Sequence, residues 1–179
     1  VSSPNTKNLR DLQKPELLEK ILKNVKSINV SLKSPVPIFI KIAPDLYKNN
    51  IIEILNVCEE NGVSGLIATN TTTSSKTLKK PTSFEGGLSG KPLFKPSNNI
   101  LRLLAKKKNA STALIGVGGI FSATDIYEKI KMGASAVQIY TSFVYKGPRH
   151  VKKMEVELKK LLLNDGYSTI DSAVGALLR

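Results

Sequence analysis

Short apolar runs alternate with longer amphipathic segments along this chain. Four nearly continuous apolar runs predict strands buried on both faces, at residues 36–42, 64–69, 113–117 and 135–140. Apolar residues at helical spacing predict helices over residues 15–30, 49–61, 97–107, 122–132 and 151–163, and a short helix from about residue 169. Ser97 is expected to cap the helix that it opens. This alternation predicts an α/β fold with a parallel sheet.

The number of elements predicts half of a barrel. A complete (β/α)8 barrel needs about 250 residues, whereas this chain has 179 residues and four predicted strands. It fits strands five to eight, entered at the end of the fourth strand. The first residue is Val1 rather than Met, so we expect residues 1–179 to be the C-terminal half of one barrel domain within a longer protein.

One predicted connection is unusually long. Residues 70–96 are rich in Thr, Ser, Lys and Gly, and a loop longer than about 15 residues in a compact domain is usually functional. It leaves the carboxyl end of a strand, where barrels place their sites. The glycines of residues 86–90 (GGLSG) would let backbone N–H groups approach a ligand, although their spacing is not that of a P-loop.

Two further strand ends predict a phosphate site. Residues 116–119 (GVGG) end the third strand, and Tyr140 and Thr141 end the fourth. Counted from a fourth barrel strand at Val1, these are strands seven and eight, where barrels recurrently bind phosphate. We therefore expect a phosphorylated ligand or cofactor.

The sequence leaves two interpretations of Lys41 open. This lysine lies inside the most apolar predicted strand, and a lysine is rarely buried without a partner. It either faces the site at the barrel mouth or forms an ion pair with a carboxylate such as Asp45.

The residues around Ser3 do not distinguish it from an ordinary turn residue.

Composition excludes several classes of protein. The single cysteine rules out a disulfide framework and a Cys-based zinc site, and Cys58 is expected to be a buried, inert thiol. With only His150, which we expect at the surface, no Ser-His-Asp triad is assumed. No run approaches the roughly 18 apolar residues of a membrane span, and no secretory leader opens the chain. The net charge of +13 comes from lysines interleaved with few aromatic residues, which favours solvated faces over a nucleic-acid platform.

Seven motifs together resemble the quinone-dependent class 2 dihydroorotate dehydrogenases. In chain order they are VSSPNT (1–6), FIKIAPDL (39–46), ATNTT (68–72), GGLSGKPL (86–93), IGVGGI (115–120), GAS (133–135) and VQIYT (137–141). Each motif alone is weak, but the ordered set is specific and extends to about residue 175. The resemblance implies a (β/α)8 barrel that holds FMN and oxidises (S)-dihydroorotate to orotate in pyrimidine synthesis.

The resemblance also implies residue roles. Ser3 corresponds to the catalytic base, where class 1 enzymes carry Cys, and Thr6 to the residue that relays the proton away. Asn5, Asn70 and Thr71 correspond to orotate ligands. The implied FMN contacts, with no metal, are Lys41, Thr69, Gly90, Gly119, Tyr140 and Thr141.

The resemblance implies partners that lie largely outside this chain. They are dihydroorotate and orotate, and ubiquinone or menaquinone as electron acceptor, with no nucleic acid and a monomeric protein. Membrane association would come through an absent N-terminal region, at the mitochondrial inner membrane or the bacterial cytoplasmic membrane. With strands one to four missing, we expect the isolated 179 residues to be inactive.

Two alternatives stay open on the sequence. One is another FMN barrel such as a tRNA dihydrouridine synthase, which the positive charge would suit but which uses a catalytic cysteine. The other is a non-catalytic basic fragment that binds phosphate or nucleic acid.

Overall fold

A computed structural model describes residues 1–75 and 85–179. Its four strands form one parallel sheet in chain order, with β1 at Phe39–Ile42, β2 at Gly65–Ala68, β3 at Ala113–Val117 and β4 at Ala136–Gln138. The predicted parallel α/β architecture is confirmed. Part of the predicted loop over residues 70–96 lies outside the described residues.

Helices follow each strand, as a barrel segment requires. A 3-10 helix at Leu9–Gln13 leads into α1 (Pro15–Val30), and another at Lys91–Leu93 leads into α3. The remaining helices are α2 (Lys48–Glu60), α3 (Phe94–Lys107), α4 (Ala123–Lys131), α5 (Thr141–Lys146), α6 (Pro148–Asn164) and α7 (Ile170–Ala173). No helix in the described ranges is both long enough and apolar enough to span a membrane.

The main core lies between one face of the sheet and the helices. Ile42, Leu66 and Leu114 are fully buried on this face, because successive side chains of a strand point to opposite sides. They pack with apolar residues of α1, α2 and α3. A second apolar cluster joins α4 to α6, and it holds the C-terminal helices against the sheet.

The opposite face of the sheet carries a row of residues in register. Lys41 pairs with Ile67, Ile67 with Ile115, and Ile115 with Ala136. The first three are half-buried and Ala136 is exposed. Apart from Lys41, both faces of the strands are apolar, as the continuous hydrophobic runs predict, and the fully buried side chains of Ile42, Leu66 and Leu114 lie on the helix-covered face.

Both outer strands are shorter than predicted. β1 begins at Phe39 because the peptide groups of Val36 are bonded elsewhere: its N–H donates to Asn29 Oδ1 at 3.0 Å, and its carbonyl accepts from Asn29 Nδ2 at 2.9 Å. β4 pairs only with β3, over three residues. Tyr140 and Thr141 therefore lie beyond the strand, and Thr141 begins α5, a helix that the sequence did not predict.

The expected cap at Ser97 is wrong. Helix α3 begins three residues earlier, at Phe94, because Pro96 sits in the first turn, where a missing N–H costs nothing. Ser97 therefore lies inside the helix and is fully buried. Its hydroxyl donates to the Phe94 carbonyl at 3.0 Å and accepts from Lys129 Nζ at 2.9 Å.

Lys129 is a fully buried lysine between α3 and α4. Its ammonium group donates to Ser97 Oγ and, at 2.6 Å, to Asn98 Oδ1, and it lies 5.2 Å from the centre of the Phe94 ring. Burial lowers the pKa of Lys129 to about 8, and the charges of Glu128 and Asp125 offset only part of that effect. The protein thus buries a cation whose partners are neutral groups.

We expect Lys129 to make stability depend on pH. Because the folded pKa is about 8 against an ordinary 10.5, the unfolded chain binds more protons between these values, and stability from this group rises with pH across that window. The full difference corresponds to about 3 kcal/mol. Denaturant titration of the full-length protein at pH 7.5 and pH 10 should show the wild type gaining stability relative to Lys129→Met. Lys107→Met, at an exposed site on α3, is the control, and identical pH profiles for Lys129→Met and wild type would contradict the expectation.

Candidate active site

A cavity of about 470 Å³ at the carboxyl ends of the sheet is lined by Lys41 of β1 and by the loops after β2, β3 and β4. Parallel strands place these ends at a single edge. The residues predicted to contact cofactor or substrate that line this cavity are Lys41, Thr69, Asn70, Thr71, Gly90, Gly119, Tyr140 and Thr141. The structure therefore brings together eight of the eleven predicted site residues, from positions far apart in the chain.

One wall of the cavity is main chain. Gly119 has φ +71°, and a Cβ there would lie 2.5 Å from Phe94 Cβ and 2.6 Å from the Phe94 nitrogen. Gly90 has φ +81°, and a Cβ there would lie 3.3 Å from Thr141 Cγ2. Only glycine fits such an approach at these angles, so peptide groups rather than side chains face the cavity.

Lys41 lines the cavity and has no carboxylate partner among residues 1–75 and 85–179. It is half-buried, and burial lowers its pKa. Within the described part of the chain it takes part in none of the ion pairs. The interpretation in which Asp45 pairs with Lys41 is wrong, because the Asp45 carboxylate accepts from Arg10, Thr72 and Thr73 instead.

The segment that carries Ser3 lies beside the loop after β2. Asn70 Nδ2 donates to Ser2 Oγ at 3.1 Å, and Asn70 Oδ1 accepts from the Thr71 N–H at 2.7 Å. Ser3 is half-buried, and its Oγ accepts from the Asn5 N–H at 3.3 Å. The Asn70 amide thus joins two segments that the sequence separates by more than sixty residues.

Ser3, Asn5 and Thr6 do not line the 470 Å³ cavity. Asn5 and Thr6 are exposed. The glycine loop packs next to their segment: a Cβ on Gly87 would lie 1.9 Å from Thr71 Oγ1 and 2.8 Å from Pro4 Cγ. Residues 1–6, 70–71 and 86–87 therefore form a rim beside the cavity.

Arg10 and Asp45 are site residues that the sequence reasoning missed. Arg10 NH1 donates to Asp45 Oδ2 at 2.7 Å. Although burial raises the pKa of Asp45, hydrogen bonds from Thr72, the Thr73 N–H and Arg10, together with the arginine charge, hold it below its ordinary value. The sequence suggests Asp45 only as a partner of Lys41, and Arg10 lies in a polar stretch with no periodic signal.

A second ion pair anchors the glycine loop. Lys91 Nζ donates to Asp125 Oδ2 at 2.9 Å, and the Phe121 N–H donates to the same oxygen at 2.8 Å. Asp125 stands in the first turn of α4, where Ser122 caps the helix. Lys91 is thus held to α4, directly after Gly90 of the cavity wall.

Cys58 and His150 lie away from the cavity lining. Cys58 is fully buried in α2, and burial, with a smaller effect from Glu59, raises the pKa of its thiol to about 12. The expectation of a buried thiol is confirmed. His150 is half-buried, with Nε2 3.1 Å from the Phe121 carbonyl, so it is less exposed than expected.

Comparison with known proteins decides the family. A family model described as dihydroorotate dehydrogenase matches residues 1–162. The chain belongs to the dihydroorotate dehydrogenase family.

Relatives named dihydroorotate dehydrogenase (quinone) match nearly the whole chain. The protein from Christiangramia forsetii is 46% identical over 88% of this chain and 47% of its own length. Those from Cereibacter sphaeroides and Helicobacter acinonychis are 44% and 43% identical over 98% and 100% of this chain, and over 50% and 49% of their own lengths. The chain therefore spans about half the length of the curated relatives that it matches.

Solved structures of dihydroorotate dehydrogenase share the fold. The Eimeria tenella enzyme in complex with ferulenol is 34% identical, with a TM-score of 0.92 over 99% of this chain and 52% of its own. The ligand-free form is 35% identical, with a TM-score of 0.94 over 99% of this chain and 54% of its own. The predicted fold class, part of a (β/α)8 barrel, is confirmed.

We expect the main-chain wall to be intolerant of a single methyl group. Gly119→Ala should destabilise the full-length protein by about 1 to 3 kcal/mol more than Gly175→Ala, as measured by denaturant titration. Both glycines have nearly the same φ, +71° and +73°, but nothing lies within 4 Å of a Cβ on Gly175. Equal losses in the two variants would show that backbone strain alone, and not contact with Phe94, restricts position 119.

Proposed function

We propose that this chain is the C-terminal half of the catalytic barrel of a quinone-dependent dihydroorotate dehydrogenase. The whole protein would oxidise (S)-dihydroorotate to orotate in pyrimidine biosynthesis. The observation that carries the proposal is the 470 Å³ cavity at the carboxyl ends of the strands, lined by Lys41, Gly90, Gly119 and Thr141. Family membership supports the same reaction.

The proposed cofactor is FMN, and the cavity suits it. A main-chain wall at Gly90 and Gly119 suits a group that backbone N–H donors hold. A half-buried lysine that forms no ion pair with the described carboxylates suits an anionic or electron-rich ring edge. When bound, FMN would accept the hydride that leaves C6 of the substrate. Thr69, Tyr140 and Thr141 would complete the contacts.

Lys41 would stabilise negative charge at the pyrimidine edge of the flavin ring. A fixed cation in a site that excludes water interacts more strongly than it would in bulk solvent. Its burial lowers its pKa, which is the direction expected for an ammonium that gains its counter-charge only with the ligand.

Ser3 would act as the base that removes the C5 proton of dihydroorotate. The C5–H bond breaks toward Ser3 Oγ while the hydride leaves C6, so the C5=C6 double bond of orotate forms and two electrons leave the substrate. A serine hydroxyl is a weak base and needs a preorganised site with a route for the proton. We assign that route to Thr6.

Asn5, Asn70 and Thr71 would bind the substrate ring. Amide side chains present a donor and an acceptor in one plane, which matches the edge of a pyrimidine. Two hydrogen bonds fix the orientation of the Asn70 amide: its Nδ2 donates to Ser2 Oγ at 3.1 Å, and its Oδ1 accepts from the Thr71 N–H at 2.7 Å. This prior ordering lowers the entropy lost when substrate binds.

The proposal extends to partners outside the chain. The electron acceptor would be ubiquinone or menaquinone, reached through an N-terminal region that also attaches the monomeric protein to the mitochondrial inner membrane or the bacterial cytoplasmic membrane. A tRNA dihydrouridine synthase activity is not supported, because the chain's single cysteine is buried in α2 and its thiol pKa is raised to about 12.

We expect Ser3→Ala to lose nearly all dihydroorotate oxidation in the full-length protein while flavin stays bound. Removing the base should reduce kcat by about a hundredfold or more, whereas the FMN cavity is lined by other residues. Ser111→Ala, at an exposed serine ahead of β3, serves as the control. Flavin absorbance and turnover with a quinone measure the two properties, and unchanged turnover in Ser3→Ala would overturn the proposed role.

The 179-residue chain alone should not turn over dihydroorotate. It would lack half of the barrel and part of each binding site. Flavin-dependent turnover by the purified chain would contradict the assignment of essential contacts to the other half.

A further inference from the structure

The Arg10 guanidinium binds three separate segments at the rim of the site. Its Nε donates to the Ser2 carbonyl at 3.2 Å, NH1 to Asp45 Oδ2 at 2.7 Å, and NH2 to the Thr71 carbonyl at 2.8 Å. NH1 also lies 3.4 Å from Thr73 Oγ1. One side chain therefore connects the segment of Ser3, the loop after β1 and the loop after β2.

We propose that Arg10 is a positioning residue that sets the place of Ser3 relative to the substrate ligands Asn70 and Thr71. This inference rests on the proposed function. The Ser2 carbonyl belongs to the peptide bond that leads into Ser3, and the Thr71 carbonyl belongs to a proposed substrate ligand itself. Holding both acceptors on one planar group fixes the separation of the base from the bound ring.

The contacts use the geometry of arginine and not only its charge. A guanidinium carries five N–H donors in a rigid plane, whereas a lysine ammonium is a single point with three rotating donors. Acceptors on Ser2, Asp45 and Thr71 are met by three different nitrogens of Arg10. Lysine would keep the charge near Asp45 but could not reach both carbonyls.

The backbone of Arg10 is held in place by the side chain of Gln13. Gln13 is almost fully buried; its Nε2 donates to the Arg10 carbonyl at 3.3 Å and its Oε1 accepts from the Ala43 N–H at 2.8 Å. The 3-10 helix is thereby fixed to the end of β1. On the far side, Asp45 is bonded to the hydroxyl of Thr72 and the N–H of Thr73, the latter at 2.9 Å.

The Arg10–Asp45 ion pair is more buried than an ordinary surface ion pair. The side chains of Arg10 and Asp45 are 23% and 24% exposed, whereas those of the Lys14–Asp11 pair on the same segment are 63% and 49% exposed. Exposed pairs contribute little. The Lys14–Asp11 pair is therefore a matched control for removal of a cation without loss of the rim contacts.

The test separates the two half-reactions in the flavin-loaded, full-length protein. Stopped-flow absorbance measures flavin reduction by saturating dihydroorotate, and then re-oxidation by a quinone. Arg10→Lys and Arg10→Gln should each slow flavin reduction by about ten- to a hundredfold, because small misplacement of reacting groups has effects of that size. Re-oxidation and flavin content should stay within twofold of wild type, and Lys14→Gln should match wild type in both steps.

Each outcome decides the inference. Flavin reduction by Arg10→Lys within twofold of wild type would overturn it, as would equal slowing of both half-reactions. If the Arg10 variants do not fold, Asp45→Asn decides: it weakens one of the three links and should slow flavin reduction alone, by a smaller factor, and no slowing overturns the proposal. A wild-type protein that fails to react with dihydroorotate would instead refute the proposed function.

Discussion

The parallel direction of the strands is the constraint on which the rest of the structure depends. Because every strand runs the same way, all four carboxyl ends fall on one edge, and each connection returns as a helix on the same face. The helices therefore bury one face of the sheet, and the polar loop residues gather at one end of it. The cavity and its rim are consequences of this arrangement.

Lys129, which is fully buried, and Lys41, which is half-buried, show how differently the fold can accommodate a cation. Lys129 lies between α3 and α4, and its ammonium group donates to the hydroxyl of Ser97 and the amide oxygen of Asn98. Lys41 lies on the opposite face of the sheet from α1–α3 and lines the cavity. Lys129 thereby links α4 to α3, and the same Ser97 hydroxyl lies 3.4 Å from the Gly118 carbonyl. Lys41 instead presents its ammonium group to the cavity.

Strands, most helices and the cavity residues could be predicted from the sequence because they rest on local pattern and on a known order of motifs. Helix α5 has only six residues, too few for a periodic signal. The sequence predicts the start of α3 incorrectly because Ser97 has the residue type of an N-cap, whereas Pro96 is compatible with the first turn of a helix that begins at Phe94. The links made by Arg10 depend on carbonyl positions 8 and 61 residues away, which no local pattern encodes.

The main-chain wall at Gly90, Gly118 and Gly119 has a consequence for how this protein can be mapped. This wall presents peptide N–H and carbonyl groups, which every substitution except proline retains, while the residues themselves stand at positive φ against Phe94, Ser97 and Thr141. A side-chain scan of this wall would therefore record losses of folding and never isolate a loss of binding. The proposed binding of FMN by this wall therefore depends on backbone torsion angles, and replacement of a single amide by an ester is the method that can test it.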